Sequence, residues 1–278
     1  MTTTENNPNK ALWEKGDFTR LAQGMRESGE ALIAQLGITK GMHVLDLGCG
    51  DGTTAIPSAT KGATVLGVDI ARNLVDAGNA RARQAGLTNI TFQEGDASDL
   101  SELKSDFFDQ VVSIFGAMFA PRPLNVAQEM VRVTKPGGKI TMGNWIPGDP
   151  TLVAQILKIS SAHTPPPPQG FISPMLWGVE SEVTQRFEAA GIQPKNISFI
   201  RDKYVFNFPM TPQELVNIFR LYYGPTMNAF DAAAKNGNAA QLQRELEDLF
   251  VSQNTSRTLG HSTIAATFLR VTVIKGQM

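Results

Sequence analysis

From Val44 the chain reads Val-Leu-Asp-Leu-Gly-Cys-Gly-Asp-Gly-Thr, with glycine at 48, 50 and 52. A β-prone apolar run enters a glycine-rich turn, and a helix-forming segment follows. Glycine permits positive φ and lets backbone approach a ligand closely. A helix N-terminus behind such a turn offers unpaired N–H groups and a partial positive charge. Together they suit the anionic or carboxylate end of a nucleotide-like molecule. A Walker loop is excluded, because no Gly-Lys-Ser/Thr follows. A dinucleotide turn is not excluded. Gly50 to Ala55 satisfies G-x-G-x-x-A, and Asp69 closes the next strand, where a ribose-binding acid belongs.

The register Asp46-x-Gly48-x-Gly50-x-Gly52 resembles that of class I S-adenosylmethionine-dependent methyltransferases. The resemblance runs to about residue 145. It takes in Asp69, Gly95-Asp96-Ala97 after the third strand, Phe108-Asp109 opening the fourth, and Glu129-Met-Val-Arg-Val-Thr-Lys-Pro-Gly-Gly138 before the fifth. That last run is similar to the small-molecule branch that includes the ubiquinone/menaquinone C-methyltransferases. The resemblance implies an α/β, Rossmann-like seven-stranded sheet of order 3-2-1-4-5-7-6, its last strand antiparallel. It implies S-adenosylmethionine as cofactor and S-adenosylhomocysteine as product.

Residue roles follow from the resemblance. Gly48, Gly50 and Gly52 bring backbone to the methionine part, and Asp46 organises the turn and faces the cationic end. Asp69, with Ile70 beside it, accepts from the ribose hydroxyls, which a carboxylate can do with two oxygens. Asp96 accepts from the adenine amino group and the Ala97 N–H donates to a ring nitrogen. Ser113 and Phe115 line the floor near the transferable methyl. Cys49 is read as a buried filler rather than a nucleophile.

Methyl transfer is an in-line displacement, so the protein chiefly supplies alignment and desolvation. A base is needed only when the acceptor carries a proton at attack. The motif leaves O-, N-, S- and C-methylation open. The base candidates are His163, His261 and Tyr222, with Tyr223 and Asp17 behind them; His43 opens the first strand at the wrong end. Substrate contacts are expected beyond the carboxyl ends of the strands. Three places supply them: Trp13 and Phe18 near the N-terminus; Met118, Phe119 and Trp145 after the fourth and fifth strands; and Phe171, Met175, Trp177 and Tyr223 in the later segment. The expected acceptor is small, apolar or aromatic.

Two other readings stay open. A nicotinamide oxidoreductase shares the turn and Asp69, although no Tyr-x-x-x-Lys pair is present. A non-catalytic binder of the same cofactor, or an enzyme using its sulfonium only as a fixed charge, would keep every motif.

The elements that position these residues alternate. Strands are expected at 43–47, 64–68, 90–93, 108–115 and 139–144, with helices at 53–61, 72–85 and 126–134. Such alternation indicates βαβ units and a parallel sheet. A helix is expected over 20–36. Later come helices at 151–162 and 180–190, a strand at 197–208, a helix start at Thr211-Pro-Gln-Glu214, helical chain to about 251, and a strand within 263–274. Residues 1–40 read as a helical lid and 41–145 as the cofactor core. Residues 146–262 read as a substrate cap with remaining core elements, and 263–278 as the final strand. The run Pro165 to Pro168 joins elements.

Composition closes other routes. The 278 residues carry 25 basic and 26 acidic side chains, a net charge of -1, against the basic footprint of a nucleic-acid binder. One cysteine and three histidines argue against a disulfide framework and a metal centre. The start, MTTTENNPNK, lacks an apolar leader core, so a cytoplasmic protein with no membrane span is expected. A homodimer is compatible with the sequence.

Overall fold

The structure is a computed structural model, and it describes residues 7–277. Seven strands form one sheet: β1 (His43–Leu47), β2 (Thr64–Asp69), β3 (Ile90–Glu94), β4 (Phe108–Ile114), β5 (Thr134–Trp145), β6 (Ile197–Phe208) and β7 (Ser262–Ile274). Their order is β3-β2-β1-β4-β5-β7-β6, as expected. The five first strands run parallel; β7 is antiparallel to both β5 and β6. Val44, Leu45, Val111, Val112, Ile140 and Met142 are fully buried, as parallel strands covered on both faces require.

The helices are α1 (Pro8–Lys15), α2 (Thr19–Ala22), α3 (Arg26–Gln35), α4 (Ala55–Thr60), α5 (Arg72–Gln84), α6 (Pro123–Val133), α7 (Leu152–Ala162), α8 (Glu180–Ala189), α9 (Pro212–Tyr222), α10 (Gly224–Lys235) and α11 (Ala239–Gln253). α9 has the anticipated start. Glu214 N–H donates to Thr211 Oγ1 (3.3 Å) and Thr211 N–H donates to Glu214 Oε2 (2.8 Å), a reciprocal capping box.

Three features depart from the sequence reading. The N-terminal helix is not continuous over 20–36. It is α2, a 3-10 turn (Gln23–Met25) and α3, preceded by an unanticipated α1. Gly24 sits in the 3-10 turn, where a Cβ would meet the Phe208 ring at 2.2 Å, so the break lets the chain press onto β6. Secondly, β5 begins at Thr134 and takes in Pro136-Gly137-Gly138, ahead of the strand expected from 139. Lys275 stitches that run into the sheet: Gly137 N–H donates to its carbonyl (2.7 Å) and its own N–H donates to Gly138 (3.0 Å). Thirdly, α4 starts at Ala55 rather than Thr53, which leaves Pro57 in its first turn.

The outer edge of β6 is partly blunted. Ser28 Oγ donates to the Val205 carbonyl (3.0 Å) and accepts its N–H (2.9 Å). α3 is thereby fixed beside the sheet, and the N-terminal segment hangs over the carboxyl ends of the strands.

Candidate active site

One deep cavity opens at those strand ends, enclosing roughly 1190 Å³ with its mouth included. The β1 turn forms its first wall. Gly48 has φ of 69° and packs on Gly116, so a Cβ there would lie 2.7 Å from Gly116 Cα. Gly50 has φ of 54°, lines the cavity, and a Cβ would meet nothing within 4 Å. The first glycine closes the turn against β4; the second leaves its backbone bare toward the cavity.

The carboxylates divide into distinct environments. Asp69 accepts the Gly50 N–H (2.8 Å) on one oxygen and the Ala71 N–H (2.9 Å) on the other. Each oxygen keeps a second lone pair, so the group fits a ribose diol. Burial raises its pKa, against the pull of those N–H donors. Ile70 and Ala97 also line the cavity, and the Ala97 N–H meets no acceptor among the described residues.

Asp96 lines the cavity too, but its oxygens are engaged. Ser98 N–H and Oγ donate to Oδ1 (2.8 and 2.7 Å), and the Asn7 amide donates to Oδ2 (2.9 Å). Arg122 reaches the same Oδ2 at 3.5 Å, so an adenine amino group would have to take a place that Asn7 or Arg122 holds.

Asp46, by contrast, sits one layer behind the wall. Its Oδ2 accepts Thr54 Oγ1 (2.6 Å), while Oδ1 is buried with no hydrogen-bond partner. Burial raises its pKa to about 7, with Asp69 adding to the shift. Asp51 lines the cavity and is held between Arg26 (3.1 Å) and Arg81 (3.3 Å), tying α3 and α5 to the turn.

The rest of the cavity is aromatic. Trp13, Phe18, Phe119 and Tyr223 make the roof, with Trp13 edge-on to the other three at 5.1–6.1 Å. Phe115 and Trp145 form a stacked floor, and Tyr204, Phe206 and Phe219 complete the wall.

Several expected residues lie elsewhere. His163 bonds Glu245 at 2.9 Å, between α7 and α11, and His261 faces the Leu259 carbonyl in the loop before β7. Tyr222 and Asp17 do not reach the cavity either; Asp17 accepts from Thr19 and Arg20. None of these is placed to act as a base. Met118 and Trp177 are buried in packing, Trp177 edge-on to Phe187 and beneath Arg186. Phe171 and Met175 are outside the cavity as well.

Ser113 is also a correction. It donates to the Leu47 carbonyl (2.6 Å) and accepts the Ala117 N–H (3.0 Å), joining two strand ends rather than facing a ligand. Gly52 packs on Phe92 and does not line the cavity. Lys135, in the Lys-Pro-Gly-Gly run, pairs with Asp109 (2.6 Å), which also accepts the His43 N–H. That cluster lies at the amino end of β1, away from the cavity.

Tyr204 and Phe206 escaped the sequence reading, though they alternate with Phe208 along β6. A period of two with aromatic residues was the available signal. Leu21, Met25 and Val153 had none.

A family model described as a methyltransferase domain matches residues 38–163. The chain is 34% identical over 242 residues to an uncharacterized protein of Mycobacterium tuberculosis, Rv1405c, covering 86% of each. It is 35% identical over 128 residues to the methyltransferase GfsG of Streptomyces halstedii, covering 45% of this chain and 46% of that one. This chain belongs to the class I S-adenosylmethionine-dependent methyltransferases. The solved structure of the Bacillus subtilis YcgJ protein superposes with a TM-score of 0.58 at 18% identity, covering 91% of this chain and 99% of that one, which shows a shared fold. The cavity has two chemically different halves, one built on the β1 turn and its carboxylates and one aromatic.

Proposed function

We propose that the protein transfers a methyl group from S-adenosylmethionine to a small, neutral, apolar or aromatic acceptor. One observation carries this reading. The strip of Gly48, Gly50, Asp69, Ile70 and Ala97 runs without a partition into an aromatic chamber. Gly48 and Gly50 would hold the methionine part, Asp69 the ribose, and Ile70 and Ala97 the adenine. Bound there, the cofactor supplies an activated methyl on a cationic sulfur.

The chain's own residues then align and dry the reaction. Of the lid expected over 1–40, the described residues from 7 onward contribute Trp13, Phe18, Leu21 and Met25, and 1–6 lie outside the described residues. The cap from 146 to 262 contributes Val153 and Tyr223. Among the described residues, the only charged ones lining the cavity are Asp51, Asp69 and Asp96, all at the β1–β3 ends. A charged acceptor would meet no countercharge in the aromatic half. Among the described residues no histidine or carboxylate lines that half, so the proton of a neutral hydroxyl acceptor would pass to solvent as its oxygen attacks. Its lone pair then forms the new bond to carbon, and the electron pair of the broken S–C bond stays on sulfur.

The test is transfer of a radiolabelled methyl from the cofactor to a panel of phenols, quinols, amines and terpenoids. Label on at least one neutral apolar acceptor is expected. Saturable cofactor binding with no label on any acceptor would favour a non-catalytic binder instead.

A further inference from the structure

Two buried rings in the acceptor half carry polar atoms that bond to nothing. Trp145 is 3% exposed and Tyr223 is 5% exposed, and both line the cavity. Neither Trp145 Nε1 nor Tyr223 Oη has a hydrogen-bond partner among the described residues, and neither is sealed in the packing as Trp177 Nε1 is. Each atom therefore keeps some accessible surface, on a ring that lines the cavity. The neighbouring Tyr204 behaves differently, because its hydroxyl donates to the Met25 carbonyl at 3.1 Å. Buried polar atoms are ordinarily paired, so two left open in an apolar chamber mark places where a ligand supplies the partner.

We propose that Trp145 Nε1 and Tyr223 Oη are the hydrogen-bonding anchors for the methyl acceptor, which is an uncharged, ring-sized apolar molecule bearing a hydroxyl or carbonyl oxygen. This rests on the methyltransferase reading of the same cavity. An indole N–H can only donate. Burial pushes the Tyr223 phenol well above its usual pKa, so it stays protonated and donates as well. The indole donor requires a lone pair on the ligand, and the phenol can donate to a second lone pair or accept the ligand's own hydroxyl proton. Trp145 is held in orientation by its stack on Phe115, and Tyr223 by its edge contacts with Trp13 and Phe219. The donors thus stand on floor and roof of one chamber, and they select by functional group where the aromatic walls select by shape. A site built to hydrogen-bond an oxygen rejects the isostere without one.

The experiment compares 2-naphthol with its isostere 2-methylnaphthalene, binding to protein saturated with S-adenosylhomocysteine and read by fluorescence. The wild type is expected to prefer 2-naphthol by about tenfold. Tyr223→Phe and Trp145→Phe should each cut that preference to about threefold, with S-adenosylhomocysteine affinity unchanged. Tyr223→Phe removes an atom that has no protein partner, so it keeps the test decisive should Trp145→Phe fail to fold. Equal binding of the two compounds by the wild type, full preference retained in Tyr223→Phe, or no binding of either compound would overturn the proposal. Saturation with S-adenosylhomocysteine is measured first by calorimetry. Failure at that step overturns the methyltransferase reading itself, and the anchors with it.

Discussion

Phe115 lies flat on Trp145, their ring centroids 3.7 Å apart and their planes 9° from parallel. Phe115 reaches that position with φ of 64°, in the left-handed region that a bulky residue avoids. Such strain persists only where the surroundings enforce it. Here Tyr204 and Phe268 meet the Phe115 ring edge-on at 5.0 and 5.3 Å. The packing keeps the backbone bent, and the bend keeps the ring under Trp145.

Removing the ring should therefore be costly. Phe115→Ala is expected to lose about 3 kcal/mol in urea unfolding. Phe115→Gly should be no less stable than Phe115→Ala, since glycine accepts this φ and alanine does not. A glycine variant clearly less stable than the alanine variant would contradict the claim of strain.

Two glycines in contact with the turn should respond differently to a methyl. At Gly116 a Cβ would stand 2.2 Å from the Gly48 carbonyl oxygen, backbone against backbone. Gly116→Ala should force the β1 and β4 ends apart and weaken cofactor binding at least tenfold, with a lowered melting temperature. At Gly50 the methyl would enter open cavity. Gly50→Ala should lose cofactor affinity as strongly while costing only about 1 kcal/mol of stability, the strain of its positive φ. Calorimetry and thermal melts on both variants check the contrast.

The buried Asp46 gives a dependence on pH. Its pKa rises from 3.8 unfolded to about 7 folded. Between those values the folded chain holds a proton that the unfolded chain has released. Its contribution to stability is present below pH 4, declines as pH rises toward 7, and is lost above that. The full span is on the order of 4 kcal/mol. Asp46→Asn lacks this titration. Wild-type stability minus variant stability should thus fall between pH 4 and 7 in the cofactor-free protein, measured by urea unfolding. A flat difference would mean that Asp46 is ionised throughout.

Asp69 should matter to the nucleoside and little to the acceptor. Asp69→Ala removes hydrogen bonds to a charged acceptor and should weaken S-adenosylhomocysteine by about 1.5–3 kcal/mol. Asp96→Ala is the informative comparison, because the Asp96 carboxylate is already occupied by Ser98 and Asn7. A larger loss at Asp96 than at Asp69 would show that the N-terminal amide yields to the cofactor.

The half of the cavity built on the β1 turn was legible because its spacing is rigid. A strand, a glycine turn and a helix fix Gly48, Gly50 and Asp69 relative to one another within about twenty residues. The sheet order came from the family resemblance that those motifs carry and not from the spacing itself. The aromatic half was less legible because Tyr204, Phe219 and Trp145 converge from three elements far apart in sequence, and nothing local encodes that meeting. His163 and His261 looked like bases by residue type alone. The partner of His163, Glu245, lies 82 residues away and could not be read from the chain. Ser113 and Gly52 carried the right spacing but face packing, because successive residues of a strand or turn point in different directions.

The central claim is that the cavity beside Gly48 and Asp69 takes a sulfonium nucleoside and not a pyridine dinucleotide. Titration calorimetry of the wild-type protein against S-adenosylmethionine and NADH tests it most directly. The account predicts saturable one-to-one binding of S-adenosylmethionine and no heat from NADH. Saturable binding of NADH with none of S-adenosylmethionine would contradict it.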